Sequence, residues 1–114
     1  MKDKLKQVIP YLEYVASPDT AYNEYDPADY KQGKLHNHCG CVAYVIQKYF
    51  GGEIVVMKGH YWNKIDGVGY DATHEKLDFM PPYSVSRKVP ERKKVNPRFS
   101  TFYNRVEWAI NGQG

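Results

Sequence analysis

The dipeptide Asp66-Gly67 constrains this chain more than any other feature. Both residues tolerate positive φ, and they sit between two stretches of alternating character, 59–65 and 68–73. That combination predicts a two-residue β-hairpin. With Asp66 and Gly67 as the central pair, Ile65 faces Val68, Trp62 faces Asp71 and His60 faces Thr73. Alternation then sorts the side chains. Tyr61, Ile65, Val68, Tyr70 and Ala72 share an apolar face that belongs on a core, and His60, Trp62, Lys64, Asp71 and Thr73 share the other. His60 and Asp71 become diagonal neighbours about 5–8 Å apart at Cβ, within side-chain reach.

The remaining elements follow from period and punctuation. Residues 3–16 carry Leu5, Val8, Ile9, Leu12 and Val15 at helical spacing, with Pro10 expected to kink or split the helix. The stretch 19–37 is polar and tyrosine-rich and reads as a long ordered loop, of a length often tied to function. A second helix is predicted over 39–50, with Asn37 as N-cap, the stripe Val42, Val45, Ile46 and Tyr49, and Gly51-Gly52 as its stop. A β-branched strand follows at 53–57. Residues 74–96, interrupted by Pro81, Pro82 and Pro90, read as irregular with a short strand around 77–80. Asn96-Pro97 starts a final amphipathic helix through Phe99, Phe102, Tyr103, Val106 and Ile110, ended by Asn111-Gly112.

This order of elements gives an α+β fold, and 114 residues give room for a single domain over 1–114. A composition 42% apolar and 25% charged excludes wholesale disorder. No apolar run approaches the roughly 20 residues that cross a bilayer, and the charged start leads into no signal core. A cytoplasmic protein without a membrane partner is therefore expected. A formal charge of +3 does not imply nucleic acid, although Arg87, Lys88, Arg92, Lys93, Lys94 and Arg98 crowd one segment. Charge runs in proline-containing loops are usually solvated, so nucleic acid is not an expected partner.

Chemistry concentrates at Asn37-His38-Cys39-Gly40-Cys41. Thiols one residue apart on a helix diverge by about 200° and do not pair, so both are expected free. A thiol at a helix start is favoured as thiolate by unpaired N–H groups and the dipole. The sharp reading is a triad: Cys39 as nucleophile, His60 as base and Asp71 orienting the ring. Cys41 is the rival nucleophile. The Cys39 N–H supplies half an oxyanion hole, with an amide from Asn37, Gln32 or Asn23 for the rest. Trp62, Tyr22 and Tyr25 are candidates to line a substrate groove, although packing explains them equally well. A second sharp reading gathers His36, His38, Cys39 and Cys41 with His60 and His74 as zinc ligands, but the spacing fits no familiar knuckle and no metal or cofactor is assigned.

The stretch 39–77 resembles the YunG-like family of small bacterial and phage-borne proteins. The resemblance lies in Cys39, Ala43 and Gln47, then Phe50-Gly51-Gly52-Glu53-Ile54, His60-Tyr61-Trp62-Asn63, Asp71-Ala72-Thr73 and Glu75, with a looser echo in Phe102-Tyr103 and Arg105-Val106. It implies a reduced papain-like fold and a cysteine hydrolase cleaving an amide, peptide or thioester bond of a peptide or acylated substrate. It also implies Cys39, His60 and Asp71 as nucleophile, base and third member, with Asn63 hydrogen-bonding beneath the site. The family tends to carry Gly-Gln before its cysteine where this chain has Asn37-His38, so His38 either tunes the thiol instead or marks a drifted, inactive site. A non-catalytic module binding a protein partner is the alternative, and a zinc-stabilised module the third.

Overall fold

The computed structural model describes residues 1–21, 35, 38–57, 59–74, 76–79, 87–90 and 96–112. Among the described residues, three helices and five strands form an α+β arrangement: α1 Lys2–Val15, α2 Cys39–Phe50, β1 Glu53–Met57, β2 His60–Ile65, β3 Val68–Asp71, β4 Lys76–Phe79, β5 Arg87–Lys88 and α3 Pro97–Ile110. The sheet is antiparallel, in the order β4-β3-β2-β1-β5.

The hairpin forms as the sequence requires. Asp66 and Gly67 take φ of 51° and 80°, and Ile65 pairs with Val68 and Asn63 with Tyr70. The predicted second strand is shorter than expected. After Asp71 the chain enters a 3-10 turn over Ala72–His74, so the recorded pairs do not extend to His60 and Thr73. Residues 74–96 hold more strand than expected. Besides β4, Arg87 and Lys88 pair with Val56 and Val55 to extend the sheet past β1, and Val89 N–H donates to the Ile54 carbonyl. No periodicity announces a two-residue strand; only the exposed edge of β1 does.

Packing on one sheet face sets the architecture. Ile65, Tyr70 and Ala72 join Val42, Val45 and Ile46 of α2, Leu5 and Leu12 of α1, and Phe99, Phe102 and Val106 of α3 in the main core. A second cluster joins Ala43 to Ile54, Val56 and Val89. Each large side chain taken fully from water contributes about 1.5–3 kcal/mol. The α2 helix lies directly on β2, where buried Asn63 Nδ2 donates to the Ala43 carbonyl at 2.9 Å. The split expected as one outcome at Pro10 does not occur, and α1 runs from Lys2 to Val15 through it. The lost bond would have gone to Lys6, and both residues are exposed, so the orphaned carbonyl can be hydrated.

Helix ends follow local chemistry, with one correction. Asn96 Oδ1 accepts from Arg98 N–H at 2.9 Å and Pro97 opens α3. For α2 the N-cap is His38 rather than Asn37, without a side-chain capping bond, because the His38 ring is drawn into the core. Asn37 itself lies outside the described residues. At the other end Gly51 has φ 76° and ψ −154°, a region essentially reserved for glycine.

A Cβ on Gly51 meets nothing within 4 Å, whereas one on Gly52, also at positive φ, would stand 2.6 Å from the Lys64 carbonyl oxygen. Gly51→Ala should therefore cost about 1–3 kcal/mol of backbone strain, and Gly52→Ala about 1–3 kcal/mol more for the clash. Urea denaturation of the two variants tests this order.

Candidate active site

The polar face of the hairpin carries the first component. His60 Nε2 and Asp71 Oδ2 lie 2.6 Å apart, an interaction that joins β2 to the end of β3. The imidazole is 31% exposed and the carboxylate 9%, so the ring can meet a solvent-borne group while its partner stays shielded. The other carboxylate oxygen, Oδ1, is buried with no hydrogen-bond partner among the described residues. With Nε2 held by Asp71, the remaining nitrogen Nδ1 is the one that would exchange a proton with a nucleophile.

Trp62 lies beside this pair, its ring 6.2 Å from that of His60 at 30°. It is only 3% exposed, so it supports the imidazole and does not wall an open groove. Its position explains this: on β2 it faces Val55 of β1, in the middle of the sheet, and Val55 is buried as well. Tyr22 and Tyr25 lie outside the described residues, as do Asn23, Gln32 and His36.

Cys39 is the first residue of α2, partly exposed and free. It stands one turn ahead of Ala43, on the stripe of α2 that faces β1 and β2. The helix steps back about 6 Å from residue 43 to 39, and β2 steps back about 7–10 Å from Asn63 to Tyr61 and His60. The Gly40 position confirms the level: a Cβ there would touch Tyr61 at 3.7 Å. The start of α2 and the start of β2 therefore occupy one end of the fold. His60 leaves its strand on the face opposite Tyr61, just after Gly59 at φ 79°. The first turn of α2 holds no acidic residue, so its N–H groups and dipole meet no competing carboxylate there.

Cys41 has a different environment. It is fully buried, with Sγ 3.4 Å from the Thr20 carbonyl and 3.8 Å from that of Arg98. Burial pushes its thiol up to about 12, although the nearby Arg98 guanidinium acts the other way. A thiol so disposed is inert. Of the two cysteines, only Cys39 has the exposure a nucleophile requires.

The supporting residues fall deep in the fold. His38 is fully buried, with Nε2 2.8 Å from Thr20 Oγ1 and its ring 5.4 Å from that of Phe102. Asn63 lies beneath α2 on the face away from His60, as its bond to Ala43 requires. Thr20 is the residue that sequence reasoning misses. Its carbonyl accepts from Arg98 Nη1 at 3.1 Å as well as from Cys41. The same turn is held from outside by Arg105, which donates to both carboxylate oxygens of Asp19 at 2.9 and 2.7 Å and to Ser17. These partners are 18 to 88 residues apart in sequence, and no local pattern announces them.

The described residues include no group of three His, Cys, Asp or Glu side chains placed to hold a metal ion. None of their helices is long and apolar enough to cross a membrane. Of the basic segment, Arg98 is no solvated charge, since its guanidinium is bonded to the Thr20 carbonyl; Arg92, Lys93 and Lys94 lie outside the described residues.

Compared with known families, the chain matches the YunG protein family over residues 4–112. It belongs to the YunG family. The match spans most of α1, all of α3 and the central Cys39–His60–Asp71 region. No curated protein and no solved structure matches the chain.

The raised Cys41 thiol has a consequence for stability. The folded state keeps its proton while the unfolded chain loses it above about pH 8.5, so stability should hold below that point and fall as pH rises toward 12. Urea midpoints at neutral and alkaline pH should drop more for the native chain than for Cys41→Ala.

Proposed function

We propose that the protein is a cysteine hydrolase of reduced papain-like plan, cleaving an amide, peptide or thioester bond. The observation that carries this reading is the His60–Asp71 pair, 2.6 Å apart at the same end of the fold as a partly exposed cysteine on a helix start. Asp71 fixes the ring through Nε2, and Nδ1 takes the Cys39 proton. The thiolate attacks the carbonyl carbon, and the developing oxyanion is met by N–H groups of the first turn of α2. Collapse expels the leaving group, which takes the proton from His60. Water then gives a proton to His60 and attacks the thioester, releasing the acid and restoring the thiol. The chemistry requires no metal or cofactor.

A second reading, a non-catalytic module that binds a protein partner, draws on a separate observation. Tyr11, Tyr14 and Trp108 are exposed and line an open groove with Pro10, Ala109 and Gly112.

Cysteine-directed electrophiles, with mass mapping of the adduct, separate the two. The hydrolase reading expects rapid labelling of Cys39 alone. Cys39→Ala and His60→Ala should remain folded and lose acyl transfer, and Asp71→Asn should slow it by roughly 10²–10⁴. An unreactive Cys39 in the folded protein would favour the binding module, and labelling of Cys41 instead would remove Cys39 as nucleophile.

A further inference from the structure

We infer that Thr20 and His38 form a positioning pair for the nucleophile, setting the start of α2 through a buried hydrogen bond between the turn after α1 and the residue preceding Cys39. This rests on the hydrolase reading of Cys39 and extends it to residues that touch no substrate. Both side chains are fully buried, and their contact is 2.8 Å. Thr20 Oγ1 lies 3.1 Å from the Ser17 carbonyl, to which its one proton can be given, and it accepts from Ser17 N–H at 3.3 Å. The hydroxyl and the imidazole share one hydrogen bond, its donor set by the tautomer of His38. The ring is thereby held in one orientation between Thr20 and Phe102.

The consequence falls on α2. Its first residue is Cys39, and no side chain caps it, so the placement of its first turn depends on the His38 backbone. That backbone is fixed at both ends: its N–H donates to the Leu35 carbonyl at 3.2 Å, and its carbonyl accepts from Val42 N–H at 2.8 Å. The Thr20 carbonyl adds bonds to Cys41 and Arg98, so one buried threonine joins the turn, α2 and α3. Removing the Oγ1–Nε2 bond takes away the tie between the turn after α1 and the residue that precedes Cys39, and with it part of what sets the first N–H groups of α2.

The test is the rate of iodoacetamide alkylation at Cys39 in the full chain at neutral pH, read by mass mapping, with melting temperature measured in parallel. Thr20→Val and His38→Leu each remove the bond while filling similar space, so one folded variant of the two suffices. Either should slow alkylation on the order of tenfold. Thr20→Ser should restore the native rate. Arg105→Ala, which loosens the same turn from outside, should lower the melting temperature without changing the rate. A native rate in Thr20→Val or His38→Leu would overturn the proposal, and so would an equal slowing in Arg105→Ala. An unreactive Cys39 in the unaltered chain would instead defeat the hydrolase reading itself.

Discussion

The structure depends on α2 lying flat along β2, and the Asn63–Ala43 hydrogen bond is what fixes that contact. A buried amide nitrogen left unpaired costs about 1–3 kcal/mol, so β2 has one satisfactory position along the helix. Once Asn63 meets the Ala43 carbonyl, Gly40 falls against Tyr61 and Gly52 against Lys64. The start of the helix and the start of the strand are then level. Cys39 and His60 share one end of the fold for this reason, since nothing in their separation of 21 positions would bring them there.

The close approach of α3 is the second constraint. A Cβ on Gly40 would stand 2.7 Å from the Phe99 ring, so glycine between the two cysteines allows α3 to reach the first turn of α2. The contact buries Cys41 beneath Arg98 and leaves Cys39 on the opposite side. Two chemically identical thiols thus acquire different properties from packing alone. One is surrounded by carbonyls and apolar side chains that hold its proton; the other meets solvent at a helix end whose first turn carries no acidic residue.

The sequence made legible whatever is local. The Asp66-Gly67 turn, the alternation from Tyr61 to Tyr70, Asn96-Pro97 and Gly51-Gly52 each state their conformation within a few residues, and the corresponding elements lie where they indicate. The His60–Asp71 contact was legible for the same reason, because a hairpin of known register converts sequence spacing into distance. What was not legible depends on partners far along the chain. β5 exists because β1 has an edge to pair, α1 passes through Pro10 because that face is wet, and His38 abandons the helix cap for a threonine 18 positions earlier. Trp62 followed its neighbours too: its side of the strand was predictable, but its burial was not.

The roles of Thr20 and Arg105 show how such distant ties divide their work. Arg105 holds Asp19 at the surface, where both partners are largely exposed and the pair is screened by solvent. Its guanidinium nevertheless keeps the Asp19 carboxyl well below the usual carboxylate range. That preference is present at neutral pH and lost as acid protonates Asp19, so this clamp weakens only in strongly acidic solution. The inner tie from Thr20 to His38 is dry and geometrically specific, with each partner held by several neighbours. An exposed ion pair on the outside tolerates displacement; a hydrogen bond between two fully buried side chains does not. The inner tie is therefore the one able to transmit the position of the turn to the helix that carries Cys39.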